Sequence, residues 1–179
     1  MPIQLFPDIP AWWHACGATL AIVLFLLNRR ACSANIVIVC ITQLPGVVLH
    51  ETTHLLAGVL FRAAPYSFSL RPERNRVDGG WILGSVVFGR VTAFNAVPIA
   101  LAPLSLLPLA YCVYRYWFDW LSPTLPNTLV LYAVVFILIY NALPSRQDIR
   151  VACNWKSLLL YGTVTAVCGF FLGRMFKGI

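Results

Sequence analysis

The stretch Leu44-Pro45-Gly46-Val47-Val48-Leu49-His50-Glu51-Thr52-Thr53-His54-Leu55-Leu56-Ala57-Gly58-Val59-Leu60-Phe61 places two histidines and a glutamate in a run too apolar for a water-facing surface. On a helix, residues four apart lie one turn above each other on the same face. Both imidazoles of His50-Glu51-Thr52-Thr53-His54 therefore reach one metal ion, and Glu51 projects close enough to hold a water against it. The chain has 3 histidines in all, and a shuffled chain of this composition would show the five-residue pattern on the order of once in a thousand. Burying a carboxylate and two imidazoles among leucines costs several kcal/mol unless something binds them. The pattern reads as a metal site.

Outward from that stretch, the chain has the composition of a membrane protein. Of its 179 residues 60% are hydrophobic and only 11% charged, with a mean hydropathy of +0.78. Soluble domains carry about twice that share of charge. The net charge of +7 does not point to nucleic acid, because the basic residues flank apolar runs instead of forming a stripe. At such borders arginines anchor helices and attract anionic lipid headgroups. The six cysteines (16, 32, 40, 112, 153 and 168) form no Cys-x-x-Cys pair, so neither a thiolate zinc site nor a redox motif is supported.

The expected fold is an all-α polytopic membrane protein of about five transmembrane helices, with a small β-hairpin or sheet inserted after the helix of the His50–His54 motif. The first span covers 11–28, entered through Trp12 and Trp13. It ends in Asn28-Arg29-Arg30 and not at a small-residue cleavage site, so it reads as a retained helix. The second stretch, 34–61, is either kinked or restarted at Pro45-Gly46. Residues 64–92 form the β insertion, with strands at 66–70 and 81–89 around Gly79-Gly80. The third span, 94–117, carries Pro98, Pro103 and Pro108 and should be kinked or locally unwound. The fourth covers 128–143 and the fifth about 157–173. Residues 1–179 read as one domain with its core in 34–150. Counting basic residues places the hairpin in the cytoplasm, the N-terminus inside and the C-terminus outside, although Arg29 and Arg30 pull against this.

A catalytic zinc normally takes three protein ligands and leaves the fourth position open. The remaining candidates are His14, Asp8, Glu73, Asp78, Asp119 and Asp148. Asp119 sits beyond the far interface with Trp117 and Trp120, and Asp78 belongs to a turn. Asp8 precedes the first span and His14 stands at its start, on the cytoplasmic side, so geometry leaves His14 open as a ligand. Glu73 lies within Arg-Pro-Glu-Arg-Asn-Arg, where salt bridging is natural. Asp148 returns the chain to the membrane face where His54 should lie, and is favoured, with Glu73 as the alternative. Ser145-x-x-Asp148 also resembles a capping box, a role that can coexist with ligation. A metzincin is disfavoured, since the positions needing glycine and a third histidine hold Ala57 and Leu60.

A His-Glu-x-x-His motif on a membrane helix, then a small β element, then a span closing in Asn141-x-x-Pro144 and a carboxylate, resembles the site-2 protease family of intramembrane zinc metalloproteases. The resemblance covers about residues 45–150. It implies that His50, His54 and Asp148 bind Zn2+, that Glu51 activates the water, and that Asn141 helps to hold substrate or catalytic water. It also implies a transmembrane protein or peptide as substrate and a bacterial inner membrane as the location. The family usually continues its aspartate with glycine, whereas Ile149 follows Asp148 here.

The chemistry expected is hydrolysis of peptide bonds in membrane-embedded substrates near the cytoplasmic face. An edge strand from residues 81–89 would hold an unwound segment of substrate, with Gly84 and Gly89 allowing close backbone approach. Two other readings compete: a catalytically inactive protease-like protein that binds a membrane partner, and a metal or ion carrier. An intact Glu51 between the ligands speaks against the first, since a structural site needs no base. The second needs polar positions along several spans, and the first, fourth and fifth supply almost none.

Overall fold

The computed structural model describes residues 9–31, 36–74 and 81–177. Helix α1 (Ala11–Ala31) follows Pro10, whose carbonyl accepts from the Trp13 N–H at 2.9 Å. Helix α2 (Ile36–Leu60) continues through Pro45, so the single long helix holds and the restart at Pro45 does not occur. It ends where Arg62 and Ala64 take positive φ values of 53° and 51°, turning the chain into strand β1.

Strand β1 (Pro65–Ser69) pairs antiparallel with β4 (Ser85–Phe88), and β2 (Glu73–Arg74) pairs with β3 (Trp81–Ile82). The strand expected over 81–89 is thus two short strands serving two different pairs. Asp8, Asp78 and the Gly79-Gly80 turn lie outside the described residues.

The third apolar stretch is broken as its prolines require. Helix α3 (Ala93–Ala100) opens on a capping box in which Thr92 and Asn95 exchange hydrogen bonds. A 3₁₀ turn (Ala102–Ser105) containing Pro103 follows, then α4 (Leu106–Trp120), bent by 46° from α3. Pro103 has no N–H to offer the carbonyl four residues back, that of Ile99. Helix α5 (Leu125–Asn141) starts on the Thr124 cap and stops before Pro144. The short α6 (Arg146–Ala152) turns away by 49°, and α7 (Trp155–Lys177) closes the described chain.

Packing centres on α5. Leu106 and Ala110 of α4 meet Leu138 of α5 and Ala142 just past it, with Leu49, Val113 and Val134 alongside. Trp117 donates its indole N–H to the Asn127 carbonyl at 3.0 Å, so α4 and α5 are antiparallel across a short connection. Helix α1 lies on the other flank of α5. Gly17 faces Tyr132, where a Cβ would come within 2.3 Å of the ring, and eight residues on in both helices Phe25 meets Tyr140 edge-on at 6.4 Å. Equal steps in the same direction mean that α1 and α5 run parallel. Five alternating spans would make the first and fourth antiparallel, so the structure departs from that expectation.

Among the described residues, α1 and α7 are long and apolar enough to cross a membrane, and up to four spans result if each bent pair counts as one. Large apolar side chains stand on the outer surface, among them Ile22 at 61% exposure and Phe171 at 62%. Such a surface suits hydrocarbon, not water.

Candidate metal centre

His50 and His54 occupy successive turns of α2, and α6 brings Asp148 against both. The two Nε2 atoms stand 3.2 Å apart. Asp148 straddles them, with Oδ2 at 3.4 Å from His50 Nε2 and Oδ1 at 3.3 Å from His54 Nε2. His54 is buried, at 6% exposure, and the other two are partly buried.

The opposite nitrogen of each ring explains why these atoms converge. His50 Nδ1 donates to the Asn141 carbonyl and His54 Nδ1 to the Ile99 carbonyl, each at 2.8 Å. A carbonyl only accepts, so each Nδ1 carries a proton, and in the neutral rings Nε2 is then the bare atom, turned toward its partner and Asp148. Such a convergence is held together either by a cation or by protons shared between the Nε2 atoms and Asp148. Both acceptors are carbonyls near helix C-termini, without the regular donor four residues on. Ile99 lacks its helical donor because of Pro103, and Asn141 is the last residue of α5.

The donor set passes a simple fit test. A tetrahedral ion about 2.0–2.2 Å from its ligands separates neighbouring ligand atoms by about 3.3–3.6 Å. The two Nε2 atoms, 3.2 Å apart, stand just below that range, and each has a different Asp148 oxygen near it, Oδ2 at 3.4 Å from His50 and Oδ1 at 3.3 Å from His54. One ligand atom from each residue lies within 4.8 Å of the others. Ligating histidines commonly donate their other N–H to a carbonyl or carboxylate, as both do here. These three residues can hold a metal ion, and they are the one group of three such side chains found among the described residues.

Asp148 has a second task. It accepts from the Ser145 N–H at 2.7 Å, while Ser145 Oγ accepts from the Asp148 N–H at 3.2 Å, a complete capping box that fixes the start of α6. Cap and cluster use the same side chain.

Glu51 lines a cleft of about 380 Å3 together with the three clustered residues. Its stem fills the space left by a missing side chain at Gly84, where a Cβ would come within 2.7 Å of Glu51 Cγ. Gly84 thus accommodates the chain's own glutamate. Gly89 is different: a Cβ there would make only ordinary contact, 3.4 Å from the Ala64 carbonyl. Strand β4 contributes Ser85, Val86 and Phe88 to the cleft lining, and Ser145, Arg146 and Gln147 line it as well.

The other candidates lie elsewhere. Glu73 is exposed on β2, in register with Ile82. His14 Nδ1 is 2.9 Å from the Tyr132 hydroxyl, between α1 and α5. Asp119 is exposed in the last turn of α4. The side chain of Asn141 does not line the cleft: its amide donates to the Ile137 carbonyl at 2.8 Å, and only its main-chain oxygen serves His50. Sequence reasoning did not find Ile99 or Arg146; a proline four residues after Ile99 was the available signal for the first. No family model, curated protein or solved structure matches the chain.

Proposed function

We propose that this protein is a zinc-dependent intramembrane endopeptidase of the site-2 protease type. The observation that carries the reading is the convergence of two imidazole Nε2 atoms and a carboxylate, with the carboxylate of Glu51 beside them in one cleft. Two nitrogens, one oxygen and room for a fourth partner are the donor set of catalytic zinc. When bound, the metal supplies Lewis acidity, polarising a carbonyl and making water more acidic.

The chain's own residues do the rest. Glu51 accepts a proton from a water in the cleft as that water attacks the scissile carbonyl carbon, and then delivers the proton to the departing amine. Gly84 lies against its stem, beside Val47, and leaves room for the side chain to point into the cleft. His50 and His54 are held in one tautomer by the Asn141 and Ile99 carbonyls, and Asp148 is oriented by the cap of α6.

A substrate helix hides its carbonyls in its own hydrogen bonds and must unwind before cleavage. Strand β4 pairs with β1 along one edge only among the described residues, and lines the cleft. Its other edge can take an extended segment by strand addition. Val86→Pro, which removes one N–H while keeping an apolar side chain, should cut turnover about tenfold or more, by loss of an N–H bond and distortion of the edge. Unchanged turnover with normal metal content would rule the clamp out.

The parallel course of α1 and α5 supports a four-span arrangement in place of five alternating spans. The crossing segments are then α1, α3 with α4, α5 with α6, and α7. Helix α2 lies among them without a complete crossing, and the N-terminus faces the side opposite the metal centre. Arg29 and Arg30 then join Arg62, Arg71, Arg74, Arg76, Arg90, Arg146, Arg150 and Lys156 on the cytoplasmic side, ten of the 13 basic residues. This is a steeper bias than the eight that an inside N-terminus gives, and such bias orients helices. In intact cells or sealed vesicles, an impermeant reagent should label a tag before Ala11 from the face opposite the one exposing Cys153. Labelling of both from one face would contradict the arrangement. A bacterial inner membrane is the location this reading carries.

Cleavage itself is tested by mass spectrometry of membranes containing the wild-type chain, with and without a zinc chelator. The reading requires cut single-span proteins that vanish on chelation.

A further inference from the structure

Resting on the metal reading above, we propose that Gly46 and the Asn141 side chain form a size-matched contact that sets the position of the carbonyl anchoring His50, making both of them positioning residues for the metal centre. Gly46 lies one turn before His50 on the same face of α2, and that face meets the C-terminal end of α5. A Cβ at Gly46 would fall 2.0 Å from Asn141 Nδ2, 2.4 Å from its Cγ and 2.6 Å from its Oδ1. The amide therefore occupies the volume that any other residue at position 46 would fill.

The same asparagine cannot swing aside at no cost. Its Nδ2 donates to the Ile137 carbonyl at 2.8 Å, which ties the side chain back onto the last turn of α5. Its main-chain oxygen receives the His50 Nδ1 proton at 2.8 Å. Side chain and carbonyl belong to one residue at a helix end, so a push on the amide is transmitted to the carbonyl. Asn141 also closes a pocket of about 20 Å3 with Asn28, Thr42, Gln43 and Tyr140, room for roughly one water.

The test is a double-mutant cycle read by metal affinity, using full-length protein in detergent, Co2+ and Zn2+ titrated against a chromogenic chelator, and the visible spectrum of bound Co2+. Gly46→Ala should weaken binding by about 10–100-fold, the range typical when an outer partner of a ligand is disturbed. In an Asn141→Ala background, where the obstructing amide is gone, the same Gly46→Ala change should cost less than about threefold, with the Co2+ spectrum returning toward the wild-type form. Wild-type affinity in Gly46→Ala overturns the proposal. So does an equal loss in both backgrounds, which would mark a general packing defect. If Gly46→Ala fails to fold, the double variant decides: folded with metal affinity within about threefold of Asn141→Ala supports the contact, and unfolded or weaker overturns it. Absence of metal binding by the wild-type chain would instead remove the reading beneath it.

Discussion

Asp148→Ala is expected to lose its metal while His14→Ala and Glu73→Ala keep theirs. The loss should exceed the roughly 10–100-fold seen when only an outer partner is removed, because one of three ligands is gone and two imidazole lone pairs remain facing each other. Alanine also deletes the α6 cap, a change worth about 1 kcal/mol by itself. Asp148→Asn separates the two effects. Its amide oxygen can still accept from the Ser145 N–H, now bonded at 2.7 Å, but the negative charge is lost. Asn should therefore keep the helix content seen by circular dichroism and still bind metal far more weakly than the wild type. Metal retained in full by Asp148→Ala would mean that another group completes the site.

Glu51→Gln is expected to do the reverse, with metal kept and cleavage gone. Glutamine has nearly the same shape and fits beside Gly84, so the packing around position 51 survives. It cannot take a proton from water. General-base contributions are typically 10²–10⁴-fold, and turnover should fall by at least that much. Equal cleavage by wild type and Glu51→Gln would assign the activity to a contaminant. No cleavage by either, with metal bound in both, would favour a protease-like binding protein.

Much of this arrangement is written locally in the chain. The apolar runs gave every long helix, because hydrophobic content over about 20 residues is a summed property that single substitutions barely alter. The prolines at 98, 103 and 108 announced the break after Ala100, and the structure bends there by 46°. Histidines four apart must share a helix face, and Ser145 three residues before Asp148 foretold the cap. What was not legible depends on contacts between distant segments. Nothing near Gly17 or Phe25 tells that α1 runs parallel to α5, since Tyr132 and Tyr140 lie more than 100 residues away. The proposed four-span arrangement reverses the orientation that basic-residue counts over five spans assign to α1, with Arg29 and Arg30 as the misfit in that count. Asn141 was read through its side chain, whereas its carbonyl is what reaches His50. Main-chain atoms leave no trace in a one-letter code except where a proline or a helix end frees them, as at Ile99 and Asn141.

The most direct test is zinc-edge X-ray absorption on the purified full-length chain, together with its metal stoichiometry. One zinc per chain is expected, with two imidazole nitrogens and one or two oxygens at about 2.0–2.2 Å. The imidazole signal should shrink in His50→Ala. Protein that is folded yet takes up no stoichiometric metal, or that binds it through sulfur or without imidazole, would contradict a metal centre built from His50, His54 and Asp148.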